Sequence, residues 1–221
     1  MKIKILPEVP RPSVLLLPLA GMGLFVVLYV LAAINYPGGS WMVIDQEGFN
    51  FWHNYLCDLL DRNAINGELN PARFFARGSL GVLCVSLVLL WYYLPGLFSN
   101  KSINLIVMWL AGIIALIITM SLTSGTHDIT VRIAGFFGVI AFISCFVELY
   151  KAKYFSLLIL GLVCLLIFLV NFYIYETGTF IRSLPVIQKI TFFCFILWFT
   201  FLDISYYKYL KLKQDKIKIS H

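Results

Sequence analysis

Long uncharged apolar runs recur along this chain, and they constrain its fold more than any other feature. Val14 to Ile34 carries no charged residue, and neither does Gly78 to Leu94. A bilayer core of about 30 Å takes about 20 mostly apolar residues to cross as a helix. Six stretches meet that length, at about 13–35, 71–94, 102–123, 129–150, 154–175 and 183–206. Backbone amides in lipid must be satisfied within the segment, so the runs are read as helices. A membrane β-barrel would alternate over segments of about ten residues, and these runs do not alternate. Apolar residues make up 61% of the 221 and charged residues 13%. A soluble domain is nearer half apolar and a quarter charged. The composition therefore excludes a water-soluble globule, disorder and a disulfide scaffold. The expected fold is all-α, a single membrane domain over 1–221 with six transmembrane helices.

Local signals place several ends. Asn70-Pro71 reads as a helix start, with Arg73 and Arg77 one turn apart behind it, and Pro95-Gly96 ends that run. Lys2, Lys4 and Arg11 precede the first run like the basic leader of a signal peptide, but the run is too long for a signal h-region, so a retained helix is expected. Arg132 and Glu148 lie near the ends of the fourth span and are expected to snorkel to the interfaces. The glycine pairs Gly78/Gly81 and Gly135/Gly138 suggest close helix contacts.

Cations set the orientation. One side receives Lys2, Lys4, Arg11, Lys101, Lys151, Lys153, Lys208, Lys211, Lys213, Lys216 and Lys218. The other receives Arg62, Arg73, Arg77, Arg132, Arg182 and Lys189, with Asp45, Glu47, Asp58, Asp61, Glu68, Asp128 and Glu176. Both termini are thus expected in the cytoplasm and the 35–72 loop outside, as in a bacterial inner (cytoplasmic) membrane. The net charge of +6 sits largely in the tail 207–221. A basic tail beside a membrane helix anchors topology at an anionic lipid surface, and no nucleic-acid partner is expected. The five cysteines show no metal spacing, and four lie inside apolar runs.

The 35–72 loop is the one long connection, and long ordered loops tend to carry function. On a helical wheel over 49–61, Asn50, His53, Asn54, Cys57, Asp58 and Asp61 share one arc of about 140°. Phe49, Phe51, Trp52, Tyr55, Leu56, Leu59 and Leu60 fill the other side. The pattern predicts an amphipathic, aromatic-rich helix lying at the outer interface, its aromatic side against lipid or the bundle. The second outer loop holds His127 beside Asp128, with Arg132 at i+4 from that aspartate. Thr126 or Asp128 can cap the fourth helix, while a His–Asp pair orients an imidazole for metal binding or proton transfer.

His53, Asp58, His127 and Asp128 are candidate ligands for a divalent metal of zinc or manganese type. The same residues with Asp61 are candidate acid–base catalysts around a lipid headgroup. No HExxH or HxxxD spacing is present. Arg73, Arg77 and Arg132 are candidate phosphate contacts, since a guanidinium matches phosphate bidentately; Arg182 and Lys189 approach from the sixth span, and pairing with Glu68 or Glu176 is the plainer role. Asp203, near the end of the sixth span, is expected to pair with Lys208.

Cys57-Asp58-Leu59, Asn70 opening the second helix and His127-Asp128 opening the fourth resemble a bacterial and archaeal family of six-helix membrane proteins, similar to the wider DRAM/Sfk/FRAG-type group. Its members typically carry Ser-Asp/Glu-Leu after the first span and a His before the fourth. Asp58 and His127 match. Cys57 stands where the family has Ser, which removes a hydroxyl, and Arg73 and the rest of the loop have no counterpart. The resemblance covers helix count and spacing over most of the chain. It implies an outward-facing polar site acting on lipids and supplies no established reaction.

Two function classes follow. One is a membrane protein whose His/Asp site binds or acts on a lipid headgroup, as a hydrolase or transferase. The other is a non-catalytic subunit whose 35–72 loop docks on a membrane or periplasmic partner. A transporter ranks below both, because mid-membrane breaks at Gly or Pro are lacking.

Overall fold

The computed structural model describes residues 6–98, 102–121 and 127–219, with the backbone alone for His127 and 217–219. Among these residues the fold is all-α. Six helices are long and apolar enough to cross a membrane. They are α1 (Leu16–Ile34), α2 (Ala72–Tyr93), α3 (Ile103–Met120), α4 (His127–Lys151), α5 (Phe155–Thr177) and α6 (Leu184–Ile219). The protein is an integral membrane bundle. No strand forms among the described residues, only isolated bridges at Gly38–Glu47 and Asn63–Leu69.

Chain neighbours pack side by side, and α6 returns to contact α1. The even number of spans puts both ends of the chain on one face, the terminal face. The long loop, the end of α3, the start of α4 and the α5–α6 connection share the other, the cap face. The centre is α2, 56% buried over its apolar window against at most 33% for the others. An aromatic cluster joins α2, α4 and α6: Phe142 lies 5.0 Å from Trp198 and 5.1 Å from Phe195, and Trp91 lies 6.1 Å from Phe199.

Two tryptophans seat in the same way. Trp91 Nε1 donates to Met108 O at 2.8 Å, and Trp198 Nε1 donates to Leu157 O at 2.8 Å. One turn beyond each acceptor stands a glycine, Gly112 or Gly161, whose missing Cβ leaves room for the indole. The close approaches thus fall at Gly21, Gly112 and Gly161, not at the expected pairs. A Cβ at Gly78, Gly81 or Gly138 would meet nothing within 4 Å, and one at Gly135 only Phe168 at 3.6 Å.

Two charged residues depart from expectation. Glu148 is 2% exposed and does not snorkel; it accepts from Ser102 Oγ (3.1 Å), Asn104 Nδ2 (2.8 Å) and Lys151 Nζ (2.9 Å), tying α3 to α4. Asp203 is fully buried and makes no pair with Lys208, which is exposed. The tail is a helix rather than a separate segment: α6 runs 36 residues, about 54 Å at 1.5 Å per residue. It outruns a bilayer core of about 30 Å and carries its lysines past the terminal face.

The expected interfacial helix at 49–61 does not form. Residues 49–56 are turns and irregular chain, and only Cys57–Leu60 makes a 3-10 turn. Side chains take the backbone groups a helix would use: Asn54 Oδ1 accepts from Asn50 N (2.9 Å), Asn50 Oδ1 from Trp52 N (2.8 Å), and Asp58 Oδ2 from Tyr55 N (2.9 Å). Asn and Asp compete with helix in this way. The polar and apolar sides are not cleanly divided: Leu59 and Leu60 of the apolar side are buried, as expected against the bundle, but so are residues of the polar side. Asn54 and Asp58 are buried, while Phe51 and Trp52 are 49% and 64% exposed.

Candidate functional site

The loop from Tyr36 to Asn70 folds into a cap with its own small core. Leu59, Leu60 and Ala64 pack on Ala32, Tyr36, Ala72 and Ala76. The chain enters through Gly38 and Gly39, both at positive φ (148° and 83°). A Cβ on Gly39 would collide with the backbone N of Asn66, so glycine is needed where two cap segments touch.

Asn54, fully buried, is the hub of the cap. Its Oδ1 accepts from Asn50 N and from Gln46 Nε2 (2.6 Å); its Nδ2 donates to Gly39 O (2.7 Å) and Asp58 Oδ2 (3.0 Å). All four positions of the amide are thereby used. Gln46 Oε1 accepts from Ser40 Oγ at 3.1 Å and lies 3.3 Å from His53 Nδ1, which draws His53 into the same network. Asn70 Nδ2 donates to the carbonyls of Asp58 (3.3 Å), Leu59 (3.3 Å) and Asp61 (3.0 Å), while its Oδ1 accepts from Ala72 N (3.0 Å). One side chain both closes the loop and caps α2.

The cap is fastened to three helices. Tyr29 of α1 donates its hydroxyl to Leu56 O, and Gln188 Oε1 of α6 accepts from Leu56 N at 2.8 Å. Arg77 Nε donates to Leu60 O (2.9 Å) and Arg73 Nη1 to Arg62 O (3.2 Å). Both arginines, candidate phosphate contacts by sequence, spend donors on cap carbonyls. Lys189, expected to approach a headgroup or to pair with Glu68 or Glu176, is 8% exposed beneath the cap. Its Nζ donates to Asn54 O (2.5 Å) and Pro185 O (2.8 Å) and lies 5.0 Å from the Phe51 ring centre and 5.6 Å from that of Phe49. Carbonyl dipoles and ring faces hold that ammonium.

Asp58 lines a cleft of about 300 Å³ with Asp61, Asn63, Ala64, Ile65, Trp41 and Ile44. Burial pushes its carboxyl up to about 6; Asp61 adds to the rise, and the bonds from Asn54 and Tyr55, with the charge of Lys189, oppose it. Burial also pushes the Cys57 thiol up to about 12, helped by the charge of Asp58, so Cys57 is a neutral thiol and no thiolate nucleophile.

Asp128 and Arg132 belong to a different network. Tyr175 of α5 donates its hydroxyl to Asp128, and Arg132 grips Glu176 bidentately, Nε–Oε1 2.9 Å and Nη2–Oε2 3.1 Å. These contacts latch α4 to α5. The structure thus brings His53, Asp58 and Asp61 together in the cap and places Asp128 and Arg132 on the α4–α5 latch. The side chain of His127 and the whole of Thr126 lie outside the described residues. Among the described residues no three of His, Cys, Asp and Glu approach closely enough to hold a metal ion.

Sequence reasoning missed Tyr29 and Gln188, and placed Lys189 at a headgroup or an acidic partner rather than under the cap. A lysine inside the first turns of an apolar span was the available signal for the last. Comparison with known protein families, curated proteins and solved structures finds no match. The likeness to the FRAG-type group therefore rests on its short motifs and helix count alone.

Proposed function

We propose that this protein binds the headgroup of a membrane lipid in the cap cleft, on the outer face of a bacterial inner membrane, with both termini in the cytoplasm. The observation that carries the reading is the cleft itself. Its lining combines exposed apolar side chains, Trp41 (75%) and Ile44 (63%), with the polar Asp58, Asp61 and Asn63. Apolar side chains beside carboxylates suit an amphiphile whose head donates hydrogen bonds. Arg73 and Arg77 are partly committed to the cap, so a head bearing an amine fits better than bare phosphate. Asp58, titrating near 6, can accept and return a proton at that head.

Native mass spectrometry of protein equilibrated with equal amounts of phosphatidylethanolamine and phosphatidylglycerol tests this. The wild type retains the ethanolamine lipid in severalfold excess, and Asp58→Asn combined with Asp61→Asn abolishes the preference. Equal retention, or a preference unmoved by the double variant, contradicts it. A second reading draws on the exposed Trp41 and Trp52: the cap tip docks on a membrane or periplasmic protein. Loss of a co-purifying protein on Trp41→Ser with Trp52→Ser, and no lipid preference, favours that one.

A further inference from the structure

The cap accounts for the polar groups of one face. The terminal half of the bundle holds a different set. Asp203 and Tyr206 lie three residues apart on one side of α6, and both are 0% exposed. Three of their side-chain atoms, Asp203 Oδ1 and Oδ2 and Tyr206 Oη, have no hydrogen-bond partner. No other described side chain of the bundle is buried with a polar atom unpartnered. Buried polar groups are otherwise satisfied, and each exception needs a cause.

Packing shows that the pair is seated, not displaced. The Tyr206 ring ends against Gly96, where any Cβ would collide with the hydroxyl. The turn Leu94–Leu97 and the turn Pro12–Leu15 cover this part of α6. Neither turn holds an ionisable side chain. Tyr93 of α2 and Tyr209 of α6 are the titratable groups that act electrostatically on the Tyr206 hydroxyl. Arg11, beside the first turn, and Lys208 are exposed. The described ion pairs are Arg132–Glu176 and Lys151–Glu148, so no cation is paired with Asp203.

An ionised carboxylate isolated among apolar side chains is costly enough that the group takes up a proton instead. A neutral carboxyl, unlike a carboxylate, can stay in such surroundings beside a neutral phenol. We infer that Asp203 is an internal proton-binding site in the terminal half of the bundle, with the proton on its carboxyl and the buried Tyr206 hydroxyl as its polar neighbour one turn on. The site is separate from the cap and needs no lipid ligand.

Infrared spectroscopy of the protein in lipid at about pH 9, well above the ordinary carboxylate range, tests it. The neutral-acid C=O band is present in the wild type and is lost entirely in Asp203→Asn. Sodium up to a large excess leaves the wild-type melting temperature unchanged. If Asp203→Asn removes no neutral-acid band, Asp203 is ionised and the inference fails. If sodium raises the wild-type melting temperature but not that of Asp203→Asn, the site holds a metal cation and the inference fails equally. Should Asp203→Asn not insert, the wild type decides alone: absence of any neutral-acid band at this pH overturns the inference.

Discussion

Burial governs what Asp58 does. Its ordinary value of 3.8 rises to about 6 in the cap, so the folded state holds a proton that the unfolded chain gives up. The sign follows: the proton's contribution to stability is whole below about 4 and is lost as pH climbs through about 6. A displacement of that size is worth on the order of 3 kcal/mol. Asp58→Asn removes the titration. The melting temperature of the wild type measured against Asp58→Asn should therefore fall from pH about 4 to about 7 and then level. A difference that is flat, or that grows, contradicts the account of this carboxyl. The residue scale is also where the sequence was least readable. Asn50, Asn54 and Asp58 recur every fourth residue, which reads as one face of a helix. The same side chains bond to the nearby backbone N–H groups of Trp52, Asn50 and Tyr55, and that competition cannot be weighed from spacing alone.

The helices were legible because a bilayer demands length and apolarity, and the sequence displays both. Boundaries moved where side chains intervene: the basic tail continues α6, since nothing in 207–219 breaks a helix. The glycine contacts were not legible. Spacing pointed to Gly78/Gly81, but what fixes a close approach is the partner, here an indole donating to the carbonyl four residues before the glycine. Gly112→Ala and Gly161→Ala should each displace an indole and cost about 1–3 kcal/mol, the range of core overpacking. Gly138→Ala, with open space around it, should be neutral or slightly stabilising, because alanine favours helix. Thermal unfolding in detergent ranks the three, and equal effects would contradict the indole–glycine seating.

At the scale of the whole molecule, six spans place both termini on one face and a folded, carboxylate-bearing cap on the other. The candidate site was half visible in the sequence. Asp58 and Asp61 line one cleft and His53 joins the cap network through Gln46, whereas Asp128 and Arg132 serve the α4–α5 latch, since convergence of distant segments is a property of packing. The account turns on that cap facing outward, where headgroups of the outer leaflet can reach it. The measurement that tests this most directly is labelling of intact cells with a membrane-impermeant maleimide, in a variant whose five native cysteines are replaced by Ser or Ala. Single cysteines are then placed at Glu68 on the cap and Lys213 on the α6 extension, both exposed. The account predicts that Glu68→Cys is labelled in intact cells and Lys213→Cys only after permeabilisation. Labelling of Lys213→Cys in intact cells, with Glu68→Cys protected, would turn the cap to the cytoplasm and contradict it.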